Sequence, residues 1–245
     1  MLRMSTTTST ENSGLLSVLN PVFEKNHQIR LDVIAVGTGK ALRLGENGDV
    51  DVVFVHAPAA EQTFMHQGFG RDRAAVMHND FVLIGAHTNP AEVDVQASIQ
   101  MALQAISKSS AHFISRGDDS GTHKKELSLW RLAQVKPEGD WYLSVGQGMG
   151  AALKIADEKQ AYTLTDRGTY IAFQDKLDLV IVNQGDPALF NPYHIMTVNP
   201  DKHPHVKYNL AKKYIDFVTG AEGQALIAAY KKKGEQLFYP DAMSD

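Results

Sequence analysis

Short apolar runs alternate along the chain with amphipathic stretches of helical period. Residues 4–7 read as a short strand, and residues 9–25 as a helix carrying Leu15, Leu16, Leu19 and Phe23 on one face. A strand over 29–36, a helix over 38–47 ending at Gly48, and a buried-type strand over 50–56 follow. The pattern continues with a helix over 59–67, closed by Gly68, and a strand over 81–85. Beyond it, helices are predicted over 95–107, 120–133, 148–158 and 168–174, with strands at 112–115, 162–164 and 179–182. The segment Phe190-Asn191-Pro192-Tyr193 leads into a strand over 194–198, and helices over 206–219 and 221–232 end the pattern, parted by Gly220.

Strands that alternate with helices imply mainly parallel sheets covered on both faces. Two stretches read as crossings between lobes, one near 81–89 and one near 191–198. The expected fold is therefore α/β, with two Rossmann-like lobes joined by a two-strand hinge and a ligand cleft between them. Residues 1–83 and 195–245 would form the first lobe, and residues 84–194 the second.

Composition narrows the classes. The 245 residues are 43% apolar, enough for a sizeable core, and 24 Lys and Arg face 28 Asp and Glu for a net charge of −4. No basic surplus points to nucleic acid, so capture of an anion must rest on local geometry. The absence of cysteine excludes disulfides and thiolate metal sites. No apolar stretch reaches membrane-spanning length, and no signal peptide is visible, which reads as a trimmed mature form.

Four predicted helix starts have a common chemistry. They are Thr6-Thr7-Thr8-Ser9-Thr10, Gly37-Thr38-Gly39, Ser115-Arg116-Gly117-Asp118-Asp119-Ser120-Gly121-Thr122, and Gly146-Gln147-Gly148-Met149-Gly150. A helix start has unpaired N–H groups and the positive end of the helix dipole. Small residues let a ligand approach, and hydroxyls add donors, which makes an anion site without net charge. Taken singly, each reads first as an ordinary cap, and the signal lies in the set. The third is the richest, because Arg116, Ser120 and Thr122 set a fixed charge and two hydroxyls around one start. Asp118 and Asp119 read either as holders of the Arg116 fork or as first-turn acids.

The element Ser115–Thr122 with His123 resembles the Arg-Ser-Gly-Thr element of phosphate-type periplasmic binding proteins. The wider pattern resembles more closely the tungstate-binding periplasmic proteins of ABC importers, within the type II periplasmic binding protein fold. It is carried by the stretches 6–14, 36–42, 55–59, 79–81, 146–150, 164–170 and 185–193, which follow in order along nearly the whole chain. The resemblance implies a solute-binding protein placed in the periplasm or on a lipid anchor, a membrane permease as partner, and a monomer. It implies oxyanion contacts at Thr8 and Ser9, at Thr38, and at Arg116, Ser120, Gly121 and Thr122, with Gly148 and Met149 acting through backbone N–H. It implies neither a cofactor nor a resident metal, the tungsten being bound only as oxyanion.

The residues themselves favour a fully deprotonated dianion. Phosphate keeps a proton at neutral pH and gains from a carboxylate acceptor. The resemblance to phosphate-type binding proteins implies an acid in the strand-end run that corresponds to Phe54-Val55-His56-Ala57-Pro58, and this run carries none. That leaves tungstate, molybdate and sulfate together, and only the resemblance selects tungstate. An enzyme acting on a phosphorylated substrate and a stand-alone oxyanion sensor are the other classes. For an enzyme, no convincing base and nucleophile pair is found. Lys40 after Gly37-Thr38-Gly39 fails the nucleotide-loop pattern at Ile34 and Ala41. His203 and His205 read as a solvated loop, His123 as a surface or supporting helix residue, and Trp130, Trp141 and Tyr142 as packing. Arg167 reads either as a hinge brace or as a surface ion pair.

Overall fold

The computed structural model describes residues 1–242. In chain order its elements begin with Leu2–Thr7 (β1), Thr8–Ser13 (α1), Leu16–His27 (α2), Leu31–Val36 (β2), Thr38–Asn47 (α3), Val52–Val55 (β3) and Pro58–His66 (α4). The long strand Gly70–Ala86 (β4) leads to Ile99–Lys108 (α5), Phe113–Ser115 (β5), Gly121–Leu132 (α6), Tyr142–Ser144 (β6) and Met149–Glu158 (α7). Tyr162–Asp166 (β7), Arg167–Phe173 (α8), Leu179–Asn183 (β8) and Phe190–Val198 (β9) come next. Tyr208–Thr219 (α9), Ala221–Ala229 (α10), Lys231–Lys232 (β10), Glu235–Gln236 (β11) and Tyr239–Pro240 (β12) complete the order.

The chain divides into two compact units. One is built from both chain ends, through His78 and from Pro192 onward, and the other runs from Asn79 to Asn191. The chain passes between them along β4 and β9, and the expected crossings at 83/84 and 194/195 lie within these same strands.

In the first unit β1 is flanked by β2 and β3, both parallel to it, and β9 runs antiparallel beside β3. Val53 and Val55 pack with Ala41 and Leu42 of α3 and Phe64 of α4. Val52 and Phe54, one position out of step on β3, are also fully buried, so both faces of the sheet are covered. Phe23 of α2 meets Tyr214 of α9 edge-on at 4.9 Å.

In the second unit β5 lies between β6 and β7, all parallel, and β4 pairs antiparallel with β7 and β8. Phe81 and Leu83 join a core with α5 and α6, centred on Phe113 and Trp130. Val82 and Ile84 join a second core with Met149, Ala152, Leu153 and Ala156 of α7. Alternate residues of one strand thus supply both cores. The parallel strands of each unit are bordered by antiparallel ones because β4 and β9 carry the chain out and back.

Three helices depart most from expectation. The helix predicted over 9–25 is broken into α1 and α2 at Gly14, whose φ of 89° ends α1 with a left-handed cap. The Tyr230 hydroxyl lies over Gly14, 2.7 Å from where a side chain would begin, and donates to Ser13 O at 2.6 Å. The helix predicted from residue 95 starts only at Ile99, capped by Ser98, whose oxygen accepts from Met101 N. The helix predicted to 232 stops at Ala229, and a hairpin of β10 and β11 follows.

Candidate functional site

Parallel pairing decides which loops emerge together. In the first unit Thr7 is level with Val36, and Thr6 with Phe54. The segments after these strands, Thr8-Ser9, Gly37-Thr38 and His56, therefore leave one edge of the sheet, at its carboxyl end. Thr8 and Ser9 are exposed, and Thr38 is half-buried at the start of α3. Gly37 caps α3 without a side chain, and a side chain added at Gly37 or Gly39 would meet nothing within 4 Å. Packing does not demand a small residue there.

Thr7, rather than a predicted contact residue, sits at the centre of the polar cluster. Its Oγ1 accepts from Thr10 N at 3.2 Å and lies 2.7 Å from Thr10 Oγ1 and 2.9 Å from Ser9 Oγ. His56 Nε2 lies 3.1 Å from both Thr7 Oγ1 and Ser9 Oγ. In the sequence the strand-end run is informative only through its lack of an acid, which does not single out His56. The available signal was a lone polar ring after the apolar run of β3.

In the second unit Ser115 is level with Ser144, so the Arg116 loop and the Gly146 loop leave the same sheet edge. Val145 N donates to Ser115 O at 3.0 Å and Gln147 N to Arg116 O at 3.1 Å, which sets the two loops side by side. Gly117 has a φ of 61°, and a side chain there would displace Ser144 Oγ, 1.9 Å from where it would begin, so glycine is favoured in this turn. Ser120 caps α6 by accepting from His123 N at 3.3 Å. Gly121 and Thr122 form its first turn, and Gly148 caps α7, whose first residue is Met149. The Met149 side chain is buried in the core, so only its backbone can serve a ligand.

Arg116 Nη2 donates to Asp118 Oδ2, and its Nε is buried and meets no acceptor among the described residues. Partial burial pushes the Asp118 carboxyl up, but hydrogen bonds from Ser120 and Arg116 outweigh it and hold the group below its usual range. Of the two readings for the acids, Asp118 is a holder of the fork. Asp119 instead pairs with Lys124 on the surface at 3.2 Å. His123 is a loop brace, its Nδ1 accepting from Asp119 N at 3.1 Å.

Arg167 is no surface ion pair. It donates to Asp80 of β4 at 2.7 and 2.6 Å and to Gln184 at 2.9 Å, with 15% of its side chain exposed. His203 and His205 each approach a backbone oxygen at the end of α3, Glu46 O at 2.9 Å and Gly48 O at 2.8 Å. Among the described residues no group of three or more His, Asp or Glu is arranged to hold a metal ion, and no helix is long and apolar enough to cross a membrane.

The geometry gives each unit its own face of donors at the carboxyl ends of parallel strands. Thr8, Ser9 and Thr38 share one face, and Arg116, Ser120, Gly121, Thr122, Gly148 and Met149 share the other.

Known proteins repeat this chain along its length. The model of the PBP superfamily domain matches residues 3–222. The tungstate-binding protein TupA of Peptoclostridium acidaminophilum is 47% identical over 98% of this chain and 85% of its own. The solved structure of a tungstate-binding protein TupA from Desulfovibrio alaskensis G20 superposes with a TM-score of 0.94 at 46% identity, covering 99% of each chain. That of a tungstate ABC transporter protein from Geobacter sulfurreducens gives 0.82 at 58% identity, over 94% of this chain and 98% of that one. The chain belongs to the PBP superfamily and, within it, to the family of the tungstate-binding proteins TupA.

Proposed function

We propose that this protein captures tungstate outside the cytoplasm and delivers it to the membrane permease of an ABC importer. It acts as a binding protein and not as an enzyme. Thr8, Ser9 and Thr38 of the first unit and Arg116, Ser120, Gly121 and Thr122 of the second supply the donors, and Gly148 and Met149 add backbone N–H groups. The two units act as the lobes of the binding protein, with β4 and β9 as the flexible connections between them.

One observation carries this reading: the Arg116 loop at the start of α6. A guanidinium held by Asp118 keeps a buried Nε–H without an acceptor among the described residues. Beside it stand the first N–H groups of a twelve-residue helix. An oxyanion satisfies both at once. A ligand without a proton fits the donors best, because the run His56-Ala57-Pro58 directly after β3 carries no carboxylate to accept one. Names of relatives supply the choice of tungsten among such dianions.

Competitive titration calorimetry with tungstate, molybdate, sulfate and phosphate tests this. Tungstate should bind far more tightly than phosphate, and Arg116→Ala should weaken tungstate at least about tenfold through loss of a charge-assisted bond. Equal binding of phosphate, or an unchanged affinity in the variant, would sink the reading.

A further inference from the structure

We propose that His56 is a positioning residue: it carries its proton on Nε2 and donates to the Thr7–Ser9 hydroxyl pair, so that the Ser9 hydroxyl turns its own proton outward to an oxyanion. This rests on the oxyanion reading of the site and adds to it a residue that need not touch the ligand.

The argument is a count of protons. A hydroxyl has one proton and two acceptor positions. Thr7 Oγ1 already accepts from Thr10 N at 3.2 Å and faces three further polar atoms, Thr10 Oγ1, Ser9 Oγ and His56 Nε2, at 2.7, 2.9 and 3.1 Å. His56 Nε2 is also 3.1 Å from Ser9 Oγ. If Nε2 were a bare acceptor, it would draw the Ser9 proton inward, or take the Thr7 proton and leave nothing to set the direction of Ser9's. Drawn inward, the Ser9 hydroxyl would present oxygen lone pairs outward, and those repel an anion. If Nε2 bears the proton, the flow reverses. The ring donates, Ser9 Oγ receives, and the Ser9 proton is released toward solvent, where Ser9 is exposed. Aligned donors of this kind polarise one another and strengthen the last bond of the chain.

The ring is fixed for this task. It stacks on Tyr193 of β9 with centroids 4.5 Å apart and planes 25° from parallel. It also stands directly after β3, where a carboxylate would act as an acceptor instead. A histidine donating in that place therefore disfavours ligands that carry their own proton. The same geometry explains why the acid-free run reads as selective for dianions.

The test is a double-mutant cycle on tungstate binding, read by calorimetry, with an imidazole tautomer measurement by nitrogen-15 NMR on the loaded wild type. His56→Phe keeps a ring for Tyr193 but no N–H, and His56→Gln restores a donor near the Nε2 position. Ser9→Ala should cost about tenfold in the wild type and less than about twofold in the His56→Phe background, because the two residues act as one unit. His56→Gln should bind within about threefold of wild type. NMR should show the proton on Nε2. Additive losses, or a neutral ring protonated only on Nδ1, overturn the proposal while leaving the oxyanion reading intact. Wild-type protein that takes up no tungstate overturns both. If His56→Phe does not fold, the cycle is run with His56→Gln, where Ser9→Ala should keep its full cost, and the tautomer decides.

Discussion

The two units place charge differently. In the first, the donor face is built of hydroxyls and one imidazole, and its ion pair lies beneath, where Glu61 of α4 is fully buried. That carboxylate accepts from Ala57 N at 2.7 Å and from Arg73 at 3.1 and 2.7 Å, with His194 Nδ1 2.9 Å away. In the second unit the ion pair, Arg116 with Asp118, stands on the donor face itself. The buried carboxylate beneath it, Glu126, is met by the neutral donors Tyr142 at 2.7 Å and Trp130 at 3.1 Å. The same sheet edge is thus equipped in two ways. One face depends on the directions of hydroxyl protons, and the other on a fixed charge. A hydroxyl can donate or accept, so the first face discriminates only as far as its protons are oriented, whereas a guanidinium can only donate and discriminates by charge.

Buried carboxylates separate the two designs most sharply. Glu61→Gln should destabilise the protein by about 2 to 3 kcal/mol, because it strips a partly buried Arg73 of its counter-charge. Urea unfolding checks this, and a neutral result would mean that the first unit does not depend on its buried pair. Glu126→Gln should act in the opposite sense. Burial raises the Glu126 carboxyl above its ordinary 4.5, against smaller pulls from Tyr142, Ser115 and Trp130. A raised folded-state value means stability that is complete below about pH 4.5 and is lost as pH rises through the folded value. At neutral pH the glutamine, which keeps the acceptor oxygen, should therefore make the protein more stable. That gain should vanish in melts below about pH 4. A constant gain at every pH would mean that charge is not its source.

The smallest effect tests the hydroxyl face. Gly39 lies in the first turn of α3 with open space where a side chain would begin. Gly39→Ala should raise helix stability by up to about 1 kcal/mol. It should also lower tungstate affinity a few-fold if backbone must approach the ligand there. A melt and a titration on one sample decide, and unchanged affinity would remove the second start of the first unit from the site.

Much of this was legible from periodicity. α3 falls on the predicted 38–47, since Gly37 and Gly48 punctuate it. What was lost has local causes. Only the end of β4 reads as a strand, because its first half, Arg71-Asp72-Arg73-Ala74-Ala75, lacks the alternation of a half-buried strand. Asp72 even has a φ of 50°. β6 is three residues long and, unlike the equally short and fully buried β5, only partly buried, so no apolar run marks it. The break at Gly14 had a local signal in the glycine itself, and only the Tyr230 contact over it lies outside any window of residues. His56 is illegible for that second reason. Its partners Thr7, Ser9 and Tyr193 meet it only once β1, β3 and β9 have paired.

The Tyr230 hydroxyl over Gly14 has a consequence for the order of parts along the chain. The hydroxyls of the first face stand on β1 and α1, while Tyr230, which bonds Ser13 O beside them, lies 217 positions further on. Tyr193 of β9, against which His56 stacks, likewise follows the whole second unit. The hydroxyl motif and the residues that seat it are thus separated by an entire folded unit, and a fragment that stops before β9 would keep the motif and lose the trap.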